Sequence, residues 1–167
     1  DLFPLARKKG LYNTYVSNGY MTSEALSMLG VAGMDAIKFD VKGGSEAVKR
    51  YCGANVNAVW RNVAEAKRLG MHVEVVVLVI PNVNDDDSNI REIVSRHVGN
   101  AGLDTPIHFT QFYPTYEMAD RERTPVKSLE KAHRTAKEMG VRYVYTGNVP
   151  GHRFENTYCP NCENVLI

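Results

Sequence analysis

The sequence has no long apolar run, no excess of charge of one sign and no charged start followed by an apolar segment. Its longest apolar stretch, residues 75–80, is far too short to cross a bilayer. A formal net charge of +1 gives no broad attraction to nucleic acid or to an anionic membrane. No secretory signal is visible. These absences predict a cytoplasmic protein that binds neither nucleic acid nor membranes.

Cysteine is scarce as well, with only Cys52, Cys159 and Cys162 present. An odd number, two of them in a C-x-x-C, is not the pattern of a disulfide framework and indicates a reducing compartment. Cys52 falls at the end of a predicted helix and is interpreted as a small buried apolar residue. Cys159 and Cys162 supply two thiolates of the four ligands that a closed zinc site needs, with His152 as a candidate third and His108, Cys52 or a second subunit as candidates to complete it. A reduced C-x-x-C without metal is the alternative.

What the sequence does contain is a regular alternation of strand and helix patterns. The near-continuous Val and Leu content of residues 72–80 predicts a strand that is buried on both faces. Apolar residues at i, i+3, i+4 and i+7 predict a helix over residues 56–69. Thr124 and Pro125 predict a helix cap followed by proline at the first helical position. Strands are predicted at 11–16, 34–41, 72–80, 106–112 and 141–147.

This alternation predicts an α/β fold of parallel strands joined by right-handed crossovers. Four or five strands cannot close an eight-stranded barrel, so the chain is either an open sheet or part of a larger barrel. Its first ten residues, DLFPLARKKG, predict a helix with no strand before it. We therefore expect further strands upstream in a longer parent protein.

Polar side chains follow each predicted strand, at the edge where parallel α/β folds bind ligands. Asp40 and Lys42 point the same way on one strand and could share a ligand, or could pair only with each other. Ser17 and Asn18 could line the same pocket, but both are also common turn formers. Tyr113 could donate a hydrogen bond to a ligand or carry its hydroxyl in water.

Several stretches together resemble the C-terminal part of a radical S-adenosylmethionine (radical SAM) enzyme. Within that superfamily the chain is similar to the branch of pyruvate formate-lyase activating enzyme, and most of all to the AmmeMemoRadiSam group related to it. The resemblance covers essentially the whole chain. It rests on VSNGY, IKFDVKG, LVIPNVNDD, FTQFYP and YVYTGNVPGHRFENTYCPNC.

The resemblance implies a partial (βα) TIM-like barrel with a parallel sheet and outer helices. In such oxidoreductases a [4Fe-4S] cluster reductively cleaves S-adenosylmethionine to a 5′-deoxyadenosyl radical, here in a reaction like that of a glycyl-radical activase. The C-x-x-x-C-x-x-C motif that binds the cluster is not in this sequence. The resemblance therefore implies a fragment that is inactive alone, with N-terminal strands missing. Residues 1–147 would belong to the barrel and residues 148–167 to a C-terminal extension.

The resemblance also implies roles for single residues. Asp40 and Lys42 match an Asp-Leu-Lys segment that contacts the nucleoside and methionyl parts of S-adenosylmethionine. Ser17 and Asn18 match a hydroxyl-Asn-Gly turn that lines the same pocket. Tyr113 stands where the family often has histidine. A tyrosine can hydrogen-bond a ribose but does not titrate near neutral pH.

Two further readings of the same residues stay open. The chain could be a non-catalytic α/β binding module with a zinc-stabilised tail, or a half-barrel aldolase or isomerase with Lys42 as a Schiff-base lysine. The first predicted strand would be an open edge, which predicts a homodimer through that edge. No motif indicates whether the substrate is a small molecule or a protein.

Overall fold

A computed structural model describes residues 2–167, so Asp1, the first residue of the predicted N-terminal helix, lies outside the described part. All five strands are parallel and form one sheet in chain order. The strands are β1 (Thr14–Ser17), β2 (Ala36–Val41), β3 (His72–Val79), β4 (Ile107–Gln111) and β5 (Val144–Gly147). The helices are α1 (Leu2–Lys8), α2 (Ser23–Val31), α3 (Ser45–Cys52), α4 (Val56–Arg68), α5 (Asp87–Ala101) and α6 (Val126–Glu138). The predicted α/β class with an unclosed parallel sheet is confirmed.

The start and the buried face of helix α4 follow from its sequence. Helix α4 begins after Asn55, whose side chain accepts a hydrogen bond from the Asn57 backbone N–H. Its apolar stripe, which includes Val59, Trp60 and Val63, is buried against the sheet. None of the helices among residues 2–167 is both long and apolar enough to span a membrane.

Strands β2 to β5 bury one face of the sheet completely and the other face only in part. Along β3, fully buried residues alternate with half-buried ones, so the prediction of burial on both faces is wrong. The helices pack against the face that carries Phe39, Val75 and Phe109. We call the opposite face of the sheet the open face. Cys52, predicted to be buried, is exposed at the end of α3 because that helix turns its last residues to solvent.

The carboxyl ends of neighbouring strands are joined by polar side chains. Asn84, fully buried, donates through Nδ2 to the carbonyls of Lys42 (3.2 Å) and Leu78 (2.9 Å) and accepts from the Ile80 N–H (2.7 Å). It therefore links β2 to β3. Asn148 Nδ2 donates to the Gln111 carbonyl at 3.0 Å and links β5 to β4.

Thr124 makes the corresponding link between β3 and β4. Its hydroxyl donates to the Val79 carbonyl and accepts from the Phe112 N–H, 2.9 Å away. The prediction that Thr124 caps α6 is therefore wrong. Pro125 occupies the cap position without a side-chain hydrogen bond, because the threonine hydroxyl is committed to the strands.

Replacing Asn84 with alanine should destabilise the fold strongly. Three partly buried backbone groups would lose their partner at once and a cavity would replace a fully buried side chain, so we expect a loss of about 2–4 kcal/mol in the free energy of unfolding. Urea unfolding followed by circular dichroism measures this. The matched control is Asn161→Ala, at an exposed site, which should change stability by less than about 0.5 kcal/mol. Equal effects of the two changes would contradict the role given to Asn84.

Candidate functional site

Asp40 and Lys42 form an ion pair at the carboxyl end of β2. Lys42 Nζ lies 2.9 Å from Asp40 Oδ2, and both side chains are partly exposed. Asp40 stands beside Val76 of β3 on the open face of the sheet. An exposed ion pair contributes only about 0–1 kcal/mol to stability, so this pair does little to hold the sheet end together. It presents one positive and one negative charge side by side at the strand end.

Ser17 and Asn18 form the turn that follows β1. Ser17 Oγ accepts from the Gly19 N–H at 3.1 Å, and Asn18 Oδ1 accepts from the Tyr20 N–H at 2.9 Å. Ser17 is in register with Phe39, on the helix-covered face, so its side chain lies on the opposite side of the sheet from Asp40. The side chains of Ser17 and Asn18 therefore act as turn formers, which is one of the two roles that the sequence suggests.

At Gly19, in that turn, any residue with a side chain would be strained. Its φ is +71°, and a Cβ there would lie 2.6 Å from Cδ1 of Phe39. The buried side chain of Asn62, on α4, donates to the carbonyls of Gly19 (2.8 Å) and Met21 (2.9 Å). The loop after β1 is therefore held down on α4 by an interior asparagine.

Tyr113 lies just beyond the end of β4. Its hydroxyl donates to the Asn148 carbonyl at 3.1 Å and accepts from Arg123 Nη2 at 2.6 Å, while the Arg123 guanidinium lies 4.3 Å from the ring centroid. Strand β3 separates β4 from β2, so the strand that leads to Tyr113 lies about 10 Å across the sheet from that of the Asp40–Lys42 pair, and Tyr113 also lies several residues further along the strand direction. The predicted site residues share one edge of the sheet, but only Asp40 and Lys42 contact each other.

The residues that organise this edge were mostly not predicted. Asn62 interrupts the apolar stripe of α4. A polar residue at such a core position indicates a side chain with buried hydrogen-bond partners, and this pattern could have identified Asn62 from the sequence. Asn84 is indistinguishable by sequence from its neighbour Asn82, and Arg123 lies in a loop without pattern. Side chains that bridge strand ends far apart in the sequence produce no periodic pattern from which they could be predicted.

The open face also carries a polar group of three side chains that the sequence did not predict. His108 Nε2 lies 3.3 Å from Glu74 Oε2, and the His108 ring stacks on Tyr145 with 4.8 Å between centroids. Burial lowers the pKa of His108 below its usual value, against the opposing influence of the Glu74 charge. These side chains lie near the amino ends of the strands, away from Asp40 and Lys42.

Comparison with known proteins assigns the family. The model of the Radical SAM superfamily matches residues 1–94, more than half of the chain. The chain belongs to the radical SAM superfamily. It is also 42% identical over its 167 residues to the uncharacterized protein MJ0808 of Methanocaldococcus jannaschii, and spans 49% of the length of that protein.

Solved radical SAM structures share the fold of this chain. A domain of pyruvate-formate lyase-activating enzyme from Bacteroides vulgatus superposes with a TM-score of 0.74 at 12% identity, over 89% of this chain and 88% of that domain. SuiB of Streptococcus suis bound to S-adenosylmethionine superposes with a TM-score of 0.64 at 9% identity, over 88% of this chain and 34% of that protein. At these identities the likeness concerns the fold alone.

The described residues do not fit the iron–sulfur cluster of a radical SAM protein. Cys52 lies at the end of α3, whereas Cys159 and Cys162 lie in the C-terminal tail. Within residues 2–167, no three His, Cys, Asp or Glu side chains are gathered closely enough to hold a metal ion. Asp40 and Lys42, in contrast, offer one carboxylate and one ammonium group, the charges that complement a zwitterionic ligand.

The tail holds its two cysteines side by side as free thiols. Hydrogen bonds from the backbone N–H groups of Asn161 and Cys162 lower the pKa of the Cys159 thiol. His152, the candidate third zinc ligand, lies elsewhere: its Nδ1 is 3.2 Å from the Thr146 hydroxyl and its Nε2 is 3.3 Å from Glu130. The structure gives the predicted zinc no third ligand among residues 2–167.

The stability of this radical SAM chain should fall in mild acid. Burial lowers the pKa of His97 and of His133 to about 4, and the His133 ring stacks on Phe154 of the tail at 3.7 Å. The folded state keeps both imidazoles neutral, whereas the unfolded chain takes up protons below about pH 6.5. Their contribution is therefore complete above about pH 6.5 and is lost as the pH falls towards 4.

Urea unfolding at pH 7 and pH 5 tests this expectation. The free energy of unfolding should be lower at pH 5, by about 1–2 kcal/mol from the fully buried His97 alone. The variants His97→Gln and His133→Gln should each flatten the pH dependence, since glutamine does not titrate. An unchanged pH dependence in both variants would contradict the assignment.

Proposed function

We propose that this chain carries part of the S-adenosylmethionine pocket of a radical SAM enzyme, with Asp40 and Lys42 as its charged contacts. The observation that supports the proposal most is the Asp40–Lys42 ion pair, held partly exposed at the carboxyl end of β2 in a chain of this superfamily. Parallel α/β folds bind their ligands at that edge.

The chemistry of the pair matches that of the ligand. The Lys42 ammonium can donate to a carboxylate, and the Asp40 carboxylate can accept from an ammonium group or from ribose hydroxyls. Their mutual hydrogen bond keeps both charges in place before a ligand arrives, which lowers the cost of ordering them. Asn84 anchors the Lys42 carbonyl and so fixes the backbone from which the lysine extends.

Tyr113 and Arg123 would form a second part of the pocket edge. Among residues 2–167 Arg123 binds uncharged partners, the Gln111 amide oxygen and the Tyr113 hydroxyl, both at 2.6 Å. Ser17 and Asn18 would contribute the shape of the turn after β1 rather than side-chain contacts. S-adenosylmethionine, when bound in such an enzyme, supplies a sulfonium that is cleaved reductively at the cluster to give a 5′-deoxyadenosyl radical.

The reaction of the whole protein would be that of a cytoplasmic oxidoreductase similar to the glycyl-radical activating enzymes. The cluster ligands would come from outside these 167 residues, because the three cysteines here do not converge. The outer edge of β1 pairs with no strand among residues 2–167, and Tyr12 and Val16 are exposed there. We propose that this edge takes a partner strand, from upstream chain or from a second copy.

Loss of either charge should weaken binding of S-adenosylmethionine. In isothermal titration calorimetry, Asp40→Asn and Lys42→Met should each raise the Kd about ten- to a hundredfold, or about 1.4–2.7 kcal/mol. The matched control is the exposed ion pair of α4, changed by Glu65→Gln and Arg68→Met, which should leave the Kd unchanged.

Two outcomes would overturn the proposed pocket. One is a folded wild-type chain that does not bind S-adenosylmethionine, which would favour a non-catalytic binding module. The other is equal affinity in the Asp40 and Lys42 variants and in the control pair.

The isolated chain should not assemble an iron–sulfur cluster. After anaerobic reconstitution with iron and sulfide, followed by desalting, we expect no charge-transfer absorbance and no stoichiometric iron. The physical reason is that the cluster of a radical SAM enzyme needs three thiolates that converge within one chain, and residues 2–167 offer only one adjacent pair. A stable absorbance with four irons per chain would contradict this expectation.

A further inference from the structure

The last eleven residues form a small hairpin that ends the tail. The Thr157 N–H donates to the Ile167 carbonyl (2.9 Å), and the Leu166 N–H donates back to the Thr157 carbonyl (2.8 Å). Tyr158 and Val165 form an antiparallel bridge. The chain thus reverses within residues 159–164, and the C-x-x-C lies at the tip of the hairpin.

The backbone of this tip is closed by its own hydrogen bonds. The Cys159 N–H donates to the Asn164 carbonyl at 2.8 Å, and the Glu163 N–H donates to the Cys159 carbonyl at 2.9 Å. Glu163 has a φ of +57°, a left-handed conformation that is uncommon for a residue with a side chain. The turn therefore holds both cysteines at the tip of the hairpin on a backbone closed by its own hydrogen bonds.

We propose that Cys159 and Cys162 bind one Zn²⁺ together with the same two cysteines of a second copy of this chain. A closed zinc site takes four ligands, and cysteine pairs spaced C-x-x-C supply two each. Within residues 2–167 no third donor reaches the pair. A two-fold axis through the metal would complete the tetrahedron with identical ligands.

The surface around the tip suits a second copy. Val165, Leu166 and Ile167 are exposed, Ile167 by 86%, and lie on the strand of the hairpin that follows Cys162. Pairing two hairpins across the metal would remove these apolar side chains from water. The proposal thus explains an exposed apolar end next to a turn that holds half of a metal site.

Nearby cations suit the charge of the proposed site. Binding releases the protons of four thiols, and one Zn²⁺ with four thiolates carries a net charge of −2, without any oxidation or reduction. Lys137 and Arg153 line the same cavity of about 280 Å³ as Cys159. Neither has a carboxylate within ion-pair distance among residues 2–167.

Metal analysis combined with sedimentation tests the site, independently of the proposed S-adenosylmethionine pocket. The chain loaded with Zn²⁺ and desalted should contain one zinc ion for every two chains and sediment as a dimer. A strong chelator should separate the chains that the zinc joins and so lower the sedimentation coefficient, and added Zn²⁺ should restore it. Cys159→Ser and Cys162→Ser should abolish zinc binding. Cys52→Ser, at an exposed cysteine outside the hairpin, should retain it.

A second readout detects the thiolates directly. Titration with Co²⁺ should produce the thiolate-to-metal absorbance of a four-sulfur site, saturating at one Co²⁺ for every two chains, and neither hairpin variant should show it. One metal ion per monomer would overturn completion by a second copy, as would a sedimentation coefficient that neither the chelator nor the cysteine changes lower. Absence of zinc and cobalt from a chain that is folded by circular dichroism would overturn the site itself.

Discussion

The structure of the carboxyl edge of this sheet depends on hydrogen-bond partners for the backbone groups at which the parallel strands stop pairing. A strand that ends in a loop leaves N–H and C=O groups that would be costly to bury without partners. Here single side chains meet that need between neighbouring strands: Asn84 for β2 and β3, Thr124 for β3 and β4, and Asn148 for β4 and β5. Each bridge also fixes the distance between two strand ends.

These bridges determine where the candidate ligand contacts can lie. Because Asn84 holds the Lys42 carbonyl, the lysine extends from a fixed point and meets Asp40 on the open face. Because Tyr113 donates to the backbone of Asn148, the Arg123 guanidinium stacked on its ring is held at the neighbouring edge. A bridged edge can therefore keep charged groups in water-exposed positions without losing their geometry, as a binding site requires.

The sequence alone predicts the strands and helices, but it does not predict the side chains that bridge the strand ends. Periodicity located all five strands and the α4 helix, since burial of a repeating face is a local property of the chain. Thr124 has the local pattern of a helix cap, since threonine is a favoured capping residue, and its partners Val79 and Phe112 lie too far away in sequence to suggest another role. Ser17 and Asn18 accept hydrogen bonds from their own turn, a role that the sequence does not separate from a place in the pocket.

The half-covered sheet explains why the prediction that β3 is buried on both faces is wrong. A run of valines predicts helices on both faces only if the opposite face is also apolar. In β2 and β3 the valine-rich pattern is broken on the open face by Lys38 and Glu74, which lie in register with each other, and His108 of β4 approaches Glu74. A face that combines charge with half-buried valine suits neither bulk water nor a helix layer. It suits the inner face of a partial barrel, where strands pack side chains towards one another and place ligand contacts at their carboxyl ends, and this makes the unclosed sheet and the polar strand ends parts of the same architecture.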